Sequence, residues 1–369
     1  MAHDKVKSAA IVTLYDNMNI GNKLQNYAVQ EILKAYCESV RTLSYTEANE
    51  LAPDMGWKGR LVAKLGFPPK IAAQKRAKVK RRKKFETFSG SYLNVLPSRR
   101  FSEYDRAFSE HFDMYVVGSD QVWHRWSESE AEMDYFFLRF VPEHKRVCLA
   151  PSFGRDVIPA GYEKQYVDGL NGFRHLSCRE VSGCTIIRNL TGRDAVLLPD
   201  PTMMLDQTRW DSIARKPEYR VPEKFILAYF IGETDEERRI AVSEISEQTG
   251  FPVIDILNPE MPDYYSTSPE EFIYLISNAQ MVITNSFHAC VFSVLYHKQF
   301  RWFGRDDREG ADMGNRLITL LDSFGLTETE AGYDFSGVEQ VLIEKRVQMR
   351  RYLDSAVADV LNARNCTDE

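Results

Sequence analysis

The sequence predicts an α/β protein of two domains, each built on a parallel sheet. At 369 residues the chain is long enough for two domains of about 150–200 residues. Short apolar runs alternate with segments of helical spacing, which is typical of parallel strands joined by right-handed crossovers. A polar stretch at 206–222 interrupts this alternation. We therefore expect an N-terminal domain over 1–210, a C-terminal domain over 211–335, and a terminal helix and tail over 336–369.

Apolar runs mark the predicted strands. In the first half they lie at 8–14, 112–118, 147–154, 175–181 and 195–202, and in the second half at 225–231, 251–257, 281–283 and 299–303. Helical spacing follows at 23–36, after a polar loop at 15–22 in which Gly21 would supply a positive φ. Later helices are predicted at 234–248, 287–295, 314–325 and 338–361. Another opens at Ser268, where Pro269 and Glu271 complete a capping box with proline at the first helical position.

Composition narrows the class of protein. Hydrophobic content of 44% and charged content of 27% are ordinary for a soluble protein, and the net charge of −6 argues against a general nucleic-acid binder. The six cysteines include no CxxC pair, so we read them as reduced thiols. The N-terminus has no signal-peptide core, and no apolar run is long enough to span a bilayer. We therefore expect a cytoplasmic protein.

The strongest charge run extends from Lys75 to Lys84, with the sequence KRAKVKRRKK. Such a run is usually a solvated helix face. The alternative is contact with an anionic membrane surface or with a diphosphate-linked acceptor, because clustered Lys and Arg each contribute about 1 kcal/mol near anionic lipid. That alternative would place the protein at the inner face of the membrane, and the sequence leaves both interpretations open.

Residues 280–296 read as a buried strand, a polar turn and an apolar helix. Asn285 and Ser286 lie in the turn, and Ser286 is a good helix N-cap. His288 falls in the first helical turn, beside free backbone N–H groups and the positive end of the helix dipole, where anions bind. A structural histidine, hydrogen-bonded near the helix start, is the alternative.

Polar residues follow other predicted strands, and ligands bind at the carboxyl ends of strands in open α/β sheets. Asp120 would serve as a general base or hold a sugar hydroxyl, and Arg179 has the planar fork that suits a carboxylate or phosphate. A turn aspartate and a salt-bridged arginine are the alternatives. Asp200, in the segment DPT, we interpret as a structural turn residue. Further candidates for polar substrate contacts follow the first and third strands: Asn17, Asn22, Lys23, Gln25 and Ser152.

Seven segments, in order, resemble the polysaccharide pyruvyl transferase family. They lie between about residues 10 and 326 and read TLYDNMNIGNKLQNYAVQ, YVVGSDQVW, APSFG, SCREVSG, LPDPTMML, SPEEFIYLISNAQMVITNSFHACVFSVLYHKQF and GNRLITLLDSFGL. The resemblance implies two Rossmann-like domains facing a cleft, as in GT-B glycosyltransferases. It also implies transfer of pyruvate from phosphoenolpyruvate to a sugar diol of a polysaccharide, its precursor or a lipid-linked glycan, as a cyclic ketal, with no metal or other cofactor.

The resemblance assigns roles to the candidate residues. His288 and Asp120 form the catalytic pair, while Arg179, Asn285 and Ser286 bind the donor. The acceptor side comprises Asn17, Asn22, Lys23, Gln25 and Ser152. Members of the family place an arginine two residues before the histidine, where this chain has Ser286. Four cations are candidates to replace it: Lys298, Arg301, Arg305 and Arg316.

Two other functions remain open on the sequence. A glycosyltransferase of the same architecture would use a helix N-terminus, a histidine and an arginine to bind the diphosphate of a nucleotide sugar. A non-catalytic glycan- or anion-binding protein would account for serine in place of the family arginine.

Overall fold

A computed structural model of the chain describes residues 5–15, 18–46, 68–124, 128–232, 235–304, 314–329 and 332–365. No helix within these ranges is both long enough and apolar enough to cross a lipid bilayer.

The first sheet has four parallel strands in the order β2-β1-β3-β4. They are β1 (Val6–Val12), β2 (Cys37–Thr42), β3 (Met114–Asp120) and β4 (Arg146–Pro151). Every residue of β3 is buried, as expected for a central parallel strand covered on both faces. The apolar runs predicted at 8–14, 112–118 and 147–154 are therefore strands, with displaced ends.

The second sheet also has four parallel strands, in the order β10-β9-β7-β8. A separate pair, β5 with β6, lies between the two sheets in sequence. The strands are β5 (Ser177–Cys178), β6 (Val196–Leu197), β7 (Ile226–Tyr229), β8 (Val253–Asp255), β9 (Met281–Thr284) and β10 (Gln299–Trp302). The strand predicted at 175–181 is shorter than expected. Arg179 and Glu180 lie outside the β5–β6 pairing, and their side chains bond Asp200 and the Phe153 N–H.

Twelve helices lie within the described ranges. In the first half they are α1 (Ile20–Leu33), α2 (Pro69–Tyr92), α3 (Glu130–Phe136), α4 (Glu163–Asn171), α5 (Val181–Thr191) and α6 (Gln207–Asp211). In the second half they are α7 (Glu236–Thr249), α8 (Pro262–Tyr265), α9 (Pro269–Asn278), α10 (Phe287–Leu295), α11 (Gly314–Phe324) and α12 (Val338–Asn365).

Two helix starts show the effect of local capping. The predicted capping box of α9 is present, since Ser268 Oγ accepts from the Glu271 N–H at 3.2 Å and Glu271 Oε2 accepts from the Ser268 N–H at 2.9 Å. Helix α1 begins at Ile20, earlier than the predicted residue 23, because Asn19 Oδ1 accepts from the Asn22 N–H at 3.1 Å. Residues 20–22 therefore belong to the helix and not to the loop.

The two sheets share apolar contacts through α1. Leu24 and Tyr27 of α1 belong to the same buried cluster as Phe292 of α10 and Trp210 of α6. In the other direction, α12 returns to the first sheet, where Leu353 packs in one cluster with the β1 residues. We call the parts of the chain built on the first and the second sheet the two lobes. Continuous apolar packing holds the lobes against each other, so the side chains at their junction are kept in fixed positions.

Helix α2 carries the basic run and is anchored on one side. Ala77, Phe85 and Phe88 are buried, and so is Arg81 at 2% exposure. Arg81 donates to the carbonyls of Tyr265 at 3.0 Å and, at longer distances, to others of the second lobe. A buried guanidinium with several carbonyl acceptors fixes the orientation of the helix.

Candidate active site

Four charged side chains meet where the strands end and α10 begins. They are Asp120 at the end of β3, Arg179 after β5, Asp200 after β6 and His288 in the first turn of α10. Arg179 Nη1 lies 2.5 Å from Asp200 Oδ2, and Arg179 Nη2 lies 3.6 Å from Asp120 Oδ1. His288 Nε2 lies 3.6 Å from the same oxygen of Asp200. All four are buried, so their charges interact with little solvent screening.

Asp200 is the residue of this cluster that the sequence interpretation missed. Its Oδ1 accepts from the N–H of Thr202 at 3.0 Å and from Thr202 Oγ1 at 2.7 Å, which is the structural turn that was predicted. Its other oxygen, Oδ2, contacts Arg179 and lies 3.6 Å from His288 Nε2. The same oxygen accepts from the Ser119 hydroxyl at 3.2 Å. One carboxylate therefore closes a local turn and joins the two lobes.

Asp120 is held in an uncommon backbone conformation, with φ of 72°. The Asn22 side-chain amide donates to its Oδ2, and the Gln121 N–H donates to its Oδ1 at 2.9 Å. Asn22 lies in α1, so this contact ties the helix that follows β1 to the end of β3. Asn22 and Asp120, which were predicted separately as candidate site residues, are therefore hydrogen-bonded to each other.

The charges in the cluster support one another. Burial alone raises the pKa of the Asp200 carboxyl, but the nearby His288 and Arg179 outweigh it and hold that pKa well below its usual range. The pKa of Asp120 is also lowered, because His288, Arg179 and Arg316 together exceed the effect of burial. Burial lowers the pKa of Arg179, yet Asp200 and Asp120 raise it overall. Both carboxylates are therefore ionised and Arg179 is charged.

His288 has one ring nitrogen in contact with the cluster and the other against α1. At 3.6 Å from Asp200, Nε2 is beyond hydrogen-bond length, and it has no hydrogen-bond partner among the described residues. A proton on this atom would face the carboxylate, so the pair is suited to hold and release one proton.

Gly21 makes the close approach of His288 possible. A Cβ built on Gly21 would lie 2.3 Å from His288 Nδ1, a distance that no real contact tolerates. The sequence interpretation, a positive φ in a loop, is wrong, because Gly21 lies inside α1 and is not among the glycines with positive φ. Its absent side chain leaves room for the imidazole.

We expect Gly21→Ala to lower turnover by about 100-fold, because the imidazole must move and small misplacements of a catalytic group are this costly. The helix itself should not be weakened, since alanine is a better helix former than glycine by about 1 kcal/mol. Steady-state kinetics and thermal unfolding test the two statements. The matched control is Gly90→Ala in α2, where an added Cβ meets no atom within 4 Å. Equal activities for the two variants would contradict the proposed contact.

Arg316 of α11 lies close to the start of α10. The Phe287 ring is flanked by two guanidiniums, with Cζ of Arg179 4.5 Å and Cζ of Arg316 5.4 Å from its centroid. A small cavity of about 20 Å³ is lined by Arg316, Asn285 and Ser286. A second, also of about 20 Å³, is lined by Arg316, Arg179 and Asp200. Arg316 therefore faces both cavities and is itself 3% exposed.

The other candidates to replace the family arginine lie less favourably. Lys298 precedes β10 and so lies at the amino end of the strand, away from the carboxyl edge. Arg301 is exposed within β10, and Arg305 lies outside the described residues. Ser286 is the N-cap residue of α10 as predicted, but its side chain makes no capping hydrogen bond. Arg316 is thus the candidate, among those described, that reaches the helix start.

The remaining predicted site residues that the structure describes are buried and have partners within the protein. Gln25 Nε2 donates to Thr13 Oγ1 at 2.7 Å, and Ser152 Oγ donates to Glu180 Oε1 at 3.1 Å. Lys23 Nζ lies 3.6 Å from the centroid of the Tyr15 ring. The Asn285 side chain accepts a hydrogen bond from the N–H of Ile231 and donates one to its carbonyl. Asn17 lies outside the described residues. The role of Asn285 toward the donor and those of the other residues toward an acceptor stay predictions.

No group of three or more His, Cys, Asp or Glu side chains within the described ranges is arranged to hold a metal ion. Within the cluster, the carboxylates of Asp120 and Asp200 face the guanidinium of Arg179, and the guanidinium of Arg316 lies nearby.

Comparison with known proteins places this arrangement in a class. The fold is that of two-lobed, GT-B-type α/β proteins, and the charged cluster lies where strands end. The model of the polysaccharide pyruvyl transferase family matches residues 19–307, which is most of the chain. The chain belongs to this family, so it is a transferase, and both the predicted family and the predicted fold class are confirmed. No curated protein sequence matches significantly.

Solved structures with similar overall shape are distant in sequence. One is a putative UDP-N-acetylglucosamine 2-epimerase from Listeria monocytogenes, with 11% identity, a TM-score of 0.49, and 87% of this chain and 88% of that chain covered. Another is the S. aureus MnaA–UDP co-structure, with 10% identity, a TM-score of 0.49 and coverages of 94% and 89%. E. coli ADP-heptose lps heptosyltransferase II has 10% identity, a TM-score of 0.35 and coverages of 95% and 98%. At this similarity none of them informs the activity.

Proposed function

We propose that this protein transfers pyruvate from phosphoenolpyruvate to two hydroxyls of a sugar, in a polysaccharide or its precursor, and forms a cyclic ketal. The observation that supports this most is His288 at the start of α10, 3.6 Å from an ionised Asp200 and near Arg316. A single site then combines a proton carrier with positive charge. Membership of the family supports the pyruvyl group as the one transferred.

The donor's charge requires a strongly positive site. Phosphoenolpyruvate carries a carboxylate and a phosphate, and in our proposal one of them binds the free N–H groups in the first turn of α10. Arg316 supplies the cation that other family members place two residues before the histidine. Arg179 retains donors for the substrate as well, because its Nε and Nη2 have no hydrogen-bond partner among the described residues.

The reaction can be written with its protons balanced. The methylene carbon of the donor takes one proton and becomes a methyl group, which leaves an electron-poor carbon for attack by the first hydroxyl. The C–O bond to phosphate breaks, and the second hydroxyl closes the ketal. The two hydroxyls lose two protons, of which one replaces that given to carbon and the other leaves on inorganic phosphate. In this scheme His288 delivers the first proton, and Asp200 stabilises its charged form.

The acceptor is proposed to lie on the side of β1 and β3. Asn22 and Asp120 mark that edge, and Asp120 is ionised, accepts hydrogen bonds from Asn22 and from the Gln121 N–H, and lies 3.6 Å from Arg179. A carboxylate of lowered pKa is a weak base, so we assign Asp120 to accepting a hydrogen bond rather than to removing a proton outright.

Product analysis tests the proposal against its rivals. With phosphoenolpyruvate and a panel of sugar diols, ³¹P NMR should show inorganic phosphate appearing only when protein and acceptor are both present. Mass spectrometry of the acceptor should show the added pyruvyl ketal. Release of a nucleoside diphosphate from a nucleotide sugar would instead identify a glycosyltransferase. Binding of phosphoenolpyruvate in calorimetry without turnover on any acceptor would indicate a non-catalytic binding protein.

Turnover is expected to be independent of divalent metal. The helix N-terminus and the two arginines provide the positive charge that a metal would otherwise supply. Dialysis against a chelator, followed by assay with and without added magnesium, is the measurement. Loss of turnover with chelator and its return with magnesium would contradict this expectation.

A further inference from the structure

One face of α2 is a continuous band of positive charge. We call it the basic stripe, and define it as Lys75, Arg76, Lys78, Lys80, Arg82 and Lys83, all exposed. Successive members of the stripe are one or two residues apart, so they spread over the whole side of the helix that lies opposite the buried residues. Val79 lies at the centre of the stripe and is 69% exposed. The opposite side holds the buried Ala77, Arg81, Phe85 and Phe88, so the stripe always faces away from the protein.

Few of these charges are used within the protein. Lys80 lies 3.4 Å from Glu218, with both side chains about half exposed. Arg76, Lys78, Arg82 and Lys83 have no acidic group at ion-pair distance among the described residues. The whole chain carries a net charge of −6, so the stripe is a local reversal of sign. An anionic surface would repel most of the molecule and attract this face, which fixes the orientation of approach.

The stripe also has a defined position relative to the cleft. Beneath it, Arg81 Nη2 donates to the carbonyl of Met18 at 3.4 Å, and Arg81 Nη1 lies 3.4 Å from the carbonyl of Ile256. Met18 follows β1 and Ile256 follows β8, so α2 crosses the carboxyl ends of strands from both sheets. These ends are the edges at which open α/β proteins bind ligands. A surface bound by the stripe would therefore lie beside the cleft.

We propose that the basic stripe binds the surface of a lipid bilayer that contains anionic phospholipid, and so holds the cleft next to glycans carried on that membrane. The exposed aliphatic side chains favour lipid over a soluble polyanion. Val79 within the stripe and Ile71 beside it, 42% exposed, can enter the headgroup region, whereas a nucleic acid or acidic glycan offers them no apolar environment. This inference does not depend on the proposed pyruvyl transfer, because membrane binding can be measured without substrate.

Vesicle flotation with the intact protein tests the inference. The protein should float with phosphatidylcholine vesicles that contain phosphatidylglycerol and not with pure phosphatidylcholine, and binding should fall between about 0.15 M and 1 M salt. Each cation near an anionic surface is worth about fivefold in partitioning. Changing Arg76, Lys78, Arg82 and Lys83 together to Gln should therefore lower binding by at least about 100-fold.

A control variant removes the same charge elsewhere. Lys7, Lys164, Arg350 and Arg351 are exposed and lie outside α2, and their change to Gln should leave flotation nearly intact. Equal loss in both variants would overturn the proposal, since net charge alone would then explain binding. It would also be overturned if the unchanged protein failed to float with anionic vesicles, or if a soluble polyanion bound the stripe more tightly than the vesicles do.

Discussion

Replacing His288 by alanine should lower turnover by at least ~100-fold while the protein stays folded. In the proposed reaction the imidazole carries a proton to the donor's methylene carbon, and a general acid or base typically contributes 10²–10⁴-fold. The assay is the rate of phosphate release from phosphoenolpyruvate with a sugar-diol acceptor. Phosphoenolpyruvate affinity should fall much less than turnover, because the helix N–H groups and Arg316 remain.

The control for this variant is His144→Ala. His144 is exposed and lies in a short turn before β4, distant from α10 in the fold. Its replacement should change neither rate nor affinity. A His288→Ala protein with normal turnover would remove the proposed proton carrier, and a loss confined to affinity would assign His288 to anion binding only.

Replacing Asp200 by asparagine should lower both turnover and stability. The variant keeps the shape of the turn at Thr202 but leaves Arg179, buried at 1% side-chain exposure, with only Asp120 at 3.6 Å. Breaking a buried ion pair by removing one charge costs about 3 kcal/mol or more. His288 also loses the carboxylate that faces its Nε2 at 3.6 Å, so we expect turnover to fall by at least ~100-fold. Kinetics and urea unfolding at pH 7 are the measurements.

A matched control separates burial from contact distance. Arg188 and Asp194 are also 2.5 Å apart, but their side chains are 69% and 77% exposed. Exposed pairs contribute little, so Asp194→Asn should unfold at nearly the same urea concentration as the unchanged protein. If the two variants were equally stable, the Asp200 pair would not have the energetic role that its burial implies.

The pH dependence of the same pair follows from the lowered pKa of Asp200. Because that pKa is lower in the folded protein than in the unfolded chain, the carboxylate stabilises the fold above the unfolded value of about 4. This contribution is lost as the pH falls toward the folded value. The difference in unfolding free energy between the unchanged protein and Asp200→Asn should therefore shrink below about pH 4, and a difference that grew there would contradict the assignment.

Much of the architecture could be predicted because apolar periodicity reports directly on burial. Apart from β2, which was not predicted, the strands of both sheets and the start of α10 follow from runs such as residues 281–283. Asp120, Arg179 and His288 could each be placed after a strand from the sequence, but these strands belong to three different sheets. The structure brings Arg179 and His288 to the same oxygen, Asp200 Oδ2, while their roles toward a substrate stay predictions.

The parts that could not be predicted depend on contacts distant in sequence. The segment DPT is fully explained by a local turn, so nothing near Asp200 signals that its second oxygen reaches Arg179 and His288. Gly21 is ordinary in a polar stretch, and its role appears only when α10 lies against α1. Arg316 could be named among four cations, but choosing it required the position of α11 relative to Phe287.

A crystal soaked with phosphoenolpyruvate should show this compound bound where α10 begins. We expect the donor at the first turn of α10, with an anionic group on the N–H groups of Phe287 and His288. Arg316 should be within hydrogen-bond distance, and the methylene carbon within reach of the His288 ring. If phosphoenolpyruvate is absent from this position at saturating concentration, while a nucleoside diphosphate occupies it, the proposed donor site is wrong.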